Sequence, residues 1–231
     1  MSASVEGRLL SRSIPFVEKW IAELAPAPAA AAKPAKAPKA PAANNNNNSK
    51  ATEEGSAMSK CCFAVGKVVE VAKHPESDKL YIEKIDMGAE LNTLLSGDAT
   101  TPRVILSGLQ PYVTEEQFLN RLVLVIANLE PRKIGGIVSN GMVLCASQGG
   151  DDARQVELLS VPEGSVVGER IVFEGHEQAY LPVLKKKLSK NFEEVMTTVK
   201  TNAKGEVCWG ELPFRTSAGV ITSSMKDAHV S

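Results

Sequence analysis

The stretch VGKVVEVAKHPESDKLYIEKID, residues 65–86, decides the fold. Its two halves, 65–72 and 79–86, are rich in β-branched and aromatic residues and read as strands. Between them Pro75 fixes the backbone and Asp78 can hydrogen-bond its neighbours, so His74-Pro75 marks a turn and is mainly architectural. Outward from this hairpin, residues 103–106, the apolar run 122–127 and residues 142–146 supply three more strands. Thr114-Glu115-Glu116-Gln117 has the form of a capping box and predicts a short helix between the third and fourth. Five strands with a helix between the third and fourth are the order of an OB-fold barrel, whose face and loops commonly bind nucleic acid. Residues 91–101 read as an exposed insertion.

The flanks differ in texture. Residues 151–231 hold strand-like runs at 156–159, 170–173 and 207–209, and Leu184, Leu188, Phe192, Met196 and Val199 recur at helical intervals after Pro182. Residues 26–60 alternate Ala, Pro and Lys before five asparagines, Asn44 to Asn48, a composition that cannot offset chain entropy by burial and predicts a disordered tether. In residues 1–25, Phe16, Val17, Trp20, Ile21 and Leu24 fall on one face of a helix that Ser13 can cap. Three turns are marginal alone, which points to a partner-docking role. The fold class is therefore mainly β: an OB-fold barrel at 61–150, an α+β appendix subdomain at 151–231, and a short helix and tether ahead of them.

Composition excludes several classes. No run of about 18 apolar residues is present, and Glu6, Arg8, Ser11, Arg12 and Ser13 interrupt any apolar leader, so a cytoplasmic, non-membrane protein is expected. The four cysteines, Cys61, Cys62, Cys145 and Cys208, form no C-x-x-C pair, and none of the three histidines stands at zinc-finger spacing; no metal or cofactor is expected. There is no Gly-x-Ser-x-Gly elbow or Walker loop, and the Gly135-Gly136 and Gly149-Gly150 pairs make no dinucleotide fingerprint. A binding module, not an enzyme, is predicted.

The ligand candidates concentrate on residues 128–142, the connection between the last two barrel strands. It carries Asn128, Arg132, Lys133, two flexible glycines, Ser139, Asn140 and Met142. Cations engage phosphate, while amide and hydroxyl groups can read a 2′-hydroxyl or an unstacked base edge. Lys67, Lys73, Lys79, Lys84 and Arg103 add charge around the barrel strands, and Lys185, Lys186, Lys187 and Lys190 form a basic face on the appendix. Ser107-Gly108-Leu109 reads chiefly as a tight turn. Against strong polyanion binding, residues 61–231 hold 18 basic and 22 acidic side chains. Binding must then rest on local patches, the lysine tether or a partner's surface.

The order and spacing of Lys73-His74-Pro75-Glu76-Ser77-Asp78-Lys79-Leu80, Ser107-Gly108-Leu109, Asn128-Leu129-Glu130-Pro131-Arg132-Lys133 and Ser139-Asn140-Gly141-Met142 resemble the tRNA-binding domain of endothelial monocyte-activating polypeptide II. That domain is also appended to some tyrosyl- and methionyl-tRNA synthetases. The resemblance covers residues 63–231. It implies tRNA and one or more aminoacyl-tRNA synthetases as partners, and an appendix that imitates a dimer contact, leaving a monomeric barrel-plus-appendix unit within a larger complex. Ala64 stands where the resembled pattern often has a basic residue. The expected function is a non-catalytic accessory protein that delivers or retains tRNA for synthetases; the alternative is an assembly scaffold with weak RNA affinity.

Overall fold

The computed structural model describes residues 55–150, 153–177, 179–185 and 189–231. The docking pattern Phe16, Val17, Trp20, Ile21 and Leu24, the tether up to residue 54, and Lys186 and Lys187 lie outside the described residues. In chain order the elements are α1 (Ala57–Lys60), β1 (Phe63–Lys73), β2 (Tyr81–Asp86), α2 (Gly88–Ser96), β3 (Arg103–Ser107), α3 (Glu115–Phe118), β4 (Leu122–Ile126), β5 (Arg132–Ile134), β6 (Ile137–Ser139), β7 (Met142–Val143), β8 (Cys145–Gln148), β9 (Gln155–Leu158), α4 (Ser189–Met196), β10 (Val199–Thr201), β11 (Val207–Trp209), β12 (Leu212–Pro213), β13 (Arg215–Thr216), β14 (Gly219–Val220) and β15 (His229–Val230).

The barrel sheet runs β3-β2-β1-β4-β7, antiparallel throughout. β1 serves both neighbours: residues 63–67 pair with β4 and residues 67–73 with β2, with a register shift between Val68 and Glu70 that lets the strand bend. Ahead of the bend, where Gly66 pairs with Val123, a Cβ on Gly66 would lie 2.5 Å from Ile85 Cγ2 and 2.9 Å from Met87 Sδ, so a larger residue would displace both side chains. α3 follows β3 as the capping box predicts: Thr114 Oγ1 accepts from Gln117 N, and the Gln117 side chain accepts from Thr114 N.

A second sheet, β12-β11-β10-β15-β8-β9, shares its strands' inner faces with the barrel wall. In β4, Val123 and Val125 pack with the barrel core around Tyr81, Ile85, Ile105 and Phe118, while Leu124 and Ile126 pack with the second core around Phe173, Val199, Val207 and Phe214. β1 divides likewise, Ala64 and Val68 to one side and Phe63 and Val65 to the other. A strand buried on both faces needs no polar alternation, which is why 122–127 reads as a continuous apolar run.

Five sequence expectations are corrected in whole or in part. Residues 57–60, expected to end the disordered tether, form α1, whose Met58 packs in the second core. The expected fifth strand, 142–146, breaks at Leu144: β7 completes the barrel, whereas β8 pairs with β9 and β15 in the second sheet. Residues 91–101 are exposed over most of their length, but α2 buries Leu91 and Asn92, and the Asn92 amide donates to Asp86 Oδ1 and Ala99 O while its oxygen accepts from Met87 N. Residues 170–173 form no strand; Arg170 makes one bridge to Ala64 and Ile171 N donates to Phe63 O, enough to bury Ile171 and Phe173 without a ladder. Of the helical repeat from Leu184 to Val199, Leu188 lies outside the described residues, and the described ones are helical only at α4. Leu184 bridges Leu129 and Val199 opens β10, so three backbone conformations deliver side chains to one core.

Candidate nucleic-acid interface

Two loops form one rim of the barrel: the β1–β2 turn, 74–80, and the β4–β7 connection, 127–141. The second is no plain loop. Arg132↔Ser139, Lys133↔Val138 and Ile134↔Ile137 pair as a hairpin, and the two residues at its tip, Gly135 and Gly136, have φ of +55° and +88°, as a two-residue primed turn requires. Arg132 and Lys133 are exposed on its outgoing strand, with Val138 exposed opposite.

The returning strand closes the barrel against β3. Ser139 Oγ accepts from Leu106 N at 3.0 Å and donates to Gly141 O, Asn140 N donates to Val104 O at 2.9 Å, and the Arg103 guanidinium donates twice to Asn140 O, at 2.7 and 3.1 Å. Burial lowers the Arg103 pKa, and nearly all of that side chain is withdrawn from solvent. Arg103, Ser139 and Asn140, expected to face a ligand, thus make internal contacts that hold the two edges of the barrel together. Their spacing could not reveal this, because the partner strand is more than 30 residues away in sequence.

Asn128 also turns inward. It is 1% exposed; its oxygen accepts from Cys62 N at 2.9 Å, and its amide donates to Lys60 O at 2.9 Å and Leu181 O at 2.7 Å. Both donors are used, so it staples three segments at the root of the hairpin. Met142 is half-buried against the second core.

The remaining cations divide into paired and solvent-facing. Lys84 Nζ lies 3.0 Å from Glu70 on the neighbouring strand, and Lys73 Nζ 3.7 Å from Glu115. Lys67 and Lys79 are exposed, the latter in the β1–β2 turn. Leu184 runs beside Leu129 and its N–H donates to Asn128 O at 2.7 Å, which puts exposed Lys185 beside the hairpin root; Lys190 is exposed on α4. The structure therefore places Lys73 and Lys79 at the two ends of the β1–β2 turn, Arg132 and Lys133 on the hairpin and Lys185 beside its root, and leaves Lys67, Lys84 and Lys190 elsewhere.

One contact was not legible in the sequence. His74, buried in the first turn, has Nε2 2.9 Å from Gly135 O and Nδ1 accepting from Glu76 N at 3.1 Å. A carbonyl only accepts and an N–H only donates, so the ring is the neutral tautomer with its proton on Nε2.

The other chemistry is quiet. Burial pushes the thiols of Cys61, Cys62 and Cys145 up to about 12, which keeps them protonated and poor nucleophiles. Among the described residues no group of three His, Cys, Asp or Glu is placed to hold a metal ion, and no helix is long and apolar enough to cross a membrane.

A five-stranded, nearly closed OB-fold barrel with cation-bearing loops on one rim defines the class. A family model described as "Putative tRNA binding domain" matches residues 63–170. The crystal structure of the C-terminal domain of Plasmodium vivax p43 superposes with a TM-score of 0.65 at 32% identity, over 75% of this chain and 98% of that one. The chain belongs to the tRNA-binding domain family of endothelial monocyte-activating polypeptide II and the synthetase appendices. Among curated relatives, it is 41% identical to the cytoplasmic tyrosine–tRNA ligase of Danio rerio over 75% of this chain, and 38% identical to the cytoplasmic methionine–tRNA ligase of Arabidopsis thaliana over 74%. It is 35% identical to the aminoacyl tRNA synthase complex-interacting multifunctional protein 1 of Mus musculus over 68%. The matches span only 31%, 20% and 46% of those three proteins.

Proposed function

We propose that this chain is a non-catalytic, cytoplasmic tRNA-binding module that holds or delivers tRNA for aminoacyl-tRNA synthetases. The observation that carries the reading is the barrel rim, where Lys79, Arg132, Lys133 and Lys185 stand exposed, together with Glu76, Asp78 and Glu130, around two loops whose His74, Asn128 and Ser139 are engaged in the fold. Cations on loops suit phosphate, and a rim with its amide and hydroxyl groups turned inward favours RNA shape and backbone over base identity. The names of the relatives support the choice of tRNA and of synthetases as partners. The apolar face Phe16, Val17, Trp20, Ile21 and Leu24 is proposed, on its sequence pattern alone, to dock a partner. Linking two binding modules by a short flexible segment gives effective concentrations on the order of mM, and residues 26–60 are proposed, on composition alone, to supply such a link.

Filter binding of the full chain to several folded tRNA transcripts and to an unfolded RNA of equal length tests the reading. It predicts similar affinity across tRNAs and weaker binding of the unfolded RNA; equal binding to all RNAs, or none at physiological salt, contradicts it. The acidic excess of residues 61–231 favours a second reading, an assembly scaffold with little RNA affinity. Under it, deletion of residues 1–25 abolishes synthetase association without altering tRNA binding by the remainder.

A further inference from the structure

His74 stands in the β1–β2 turn and Gly135 at the tip of the hairpin, 61 residues apart, yet one hydrogen bond of 2.9 Å joins them. The ring is 5% exposed, and its second nitrogen is held by Glu76 N–H, so its orientation is set from its own turn before it reaches the hairpin. The hairpin tip is shaped to the ring. A Cβ on Gly135 would meet His74 Nε2 at 2.6 Å and Cε1 at 2.9 Å, whereas a Cβ on the adjacent Gly136 would meet nothing within 4 Å. The tip of the hairpin, beyond the bonds that hold its root and returning strand, is therefore tied to the first turn. One loop carries Lys79 and the other Arg132 and Lys133, all exposed.

We propose that His74 is a positioning residue for the RNA interface: it ties the β1–β2 turn to the β5–β6 hairpin so that the cations of both loops are presented in one fixed arrangement. The proposal rests on the tRNA-binding reading given above. Pinning removes the cost of ordering the hairpin when RNA binds, so affinity is gained without any contact between His74 and RNA. Free lysines on separate loops would bind any flexible polyanion; cations held at fixed separation favour a ligand of fixed shape, such as folded tRNA.

Two side chains split the functions of the ring. Asparagine at position 74 keeps an oxygen near the Nδ1 position, able to accept from Glu76 N, but is too short to reach Gly135. Glutamine reaches toward the Nε2 position and keeps a donor for Gly135 O. The test measures folded tRNA and unfolded RNA binding by the full chain carrying H74N, H74Q, G135A or G136A, each also combined with R132A/K133A, with thermal unfolding alongside. H74N and G135A should bind folded tRNA on the order of three- to tenfold more weakly than H74Q and G136A, and the difference should shrink in the R132A/K133A background. Unfolded RNA should lose less. If the unaltered chain binds tRNA and H74N binds it as well as H74Q does, the positioning role is overturned while the function stands. An equal loss for H74N in both backgrounds, tracking the loss of stability alone, overturns it too. No tRNA binding by the unaltered chain overturns the functional reading and this proposal with it.

Discussion

Asn128 lies where the β4–β7 connection, the segment before β1 and the segment around Leu181 meet, and its side chain ties the first of these to the other two. Replacing it by alanine leaves the Cys62 N–H and the Leu181 carbonyl without partners, each costing about 1–3 kcal/mol, while the Lys60 carbonyl keeps the Leu181 N–H. Asn128→Ala should therefore destabilise the fold by about 2 kcal/mol or more in chemical denaturation, and a loss of RNA affinity without loss of stability would show that the side chain faces ligand instead. Glu83 makes the opposite case, a polar group poorly served by its site. One carboxylate oxygen accepts from Ser107 Oγ, the other has no partner among the described residues, and burial raises its pKa well above the ordinary value, outweighing that hydrogen bond. A folded-state pKa above the unfolded one means that the folded state holds the proton more tightly. Stability is then undiminished below about pH 4.5 and falls as pH rises through the folded value. Glu83→Gln should flatten that decline, raising Tm at pH 8 relative to the unaltered chain and narrowing the difference toward pH 4; parallel pH profiles would contradict it.

At the scale of elements, β4 is the wall between two cores, and adjacent residues on it are equally buried on opposite faces. Leu124→Ala and Val125→Ala should each cost on the order of 1–5 kcal/mol in denaturant unfolding, where a half-exposed strand would tolerate one of the two. A near-neutral result for either would remove one of the cores from the account. β1, β2, α3 and β4 were legible because their signals are local: β-branched runs, a proline turn, a capping box, an apolar run. The change of sheet at Leu144 was not, since Met142 to Ala146 is apolar whichever sheet it joins. Nor was the inward turn of Asn128, Ser139 and Asn140. Amides and hydroxyls on a glycine-rich loop look alike whether their partners are RNA or the edge of β3. On that connection it is Arg132 and Lys133, exposed on β5, that keep in three dimensions the solvent-facing place that the sequence suggested.

For the whole molecule, an acidic excess over residues 61–231 coexists with cations gathered at one rim of the barrel. Internal pairing takes other charges out of play, as with Lys84 and Glu70, Glu157 with the turn at Ser223 to Met225, and Arg103 within the barrel seam. Glu157 accepts from two backbone N–H groups and two serine hydroxyls, and these hydrogen bonds lower its pKa against the opposing effect of its burial. Net charge thus says little about where an anion would land, and local geometry decides. The measurement that tests the central claim most directly is the salt dependence of tRNA binding by the unaltered chain and by R132A/K133A. If each cation meets one phosphate, the double variant binds more weakly and its slope of log K against log salt falls by about two. An unchanged slope would move the interface away from the hairpin.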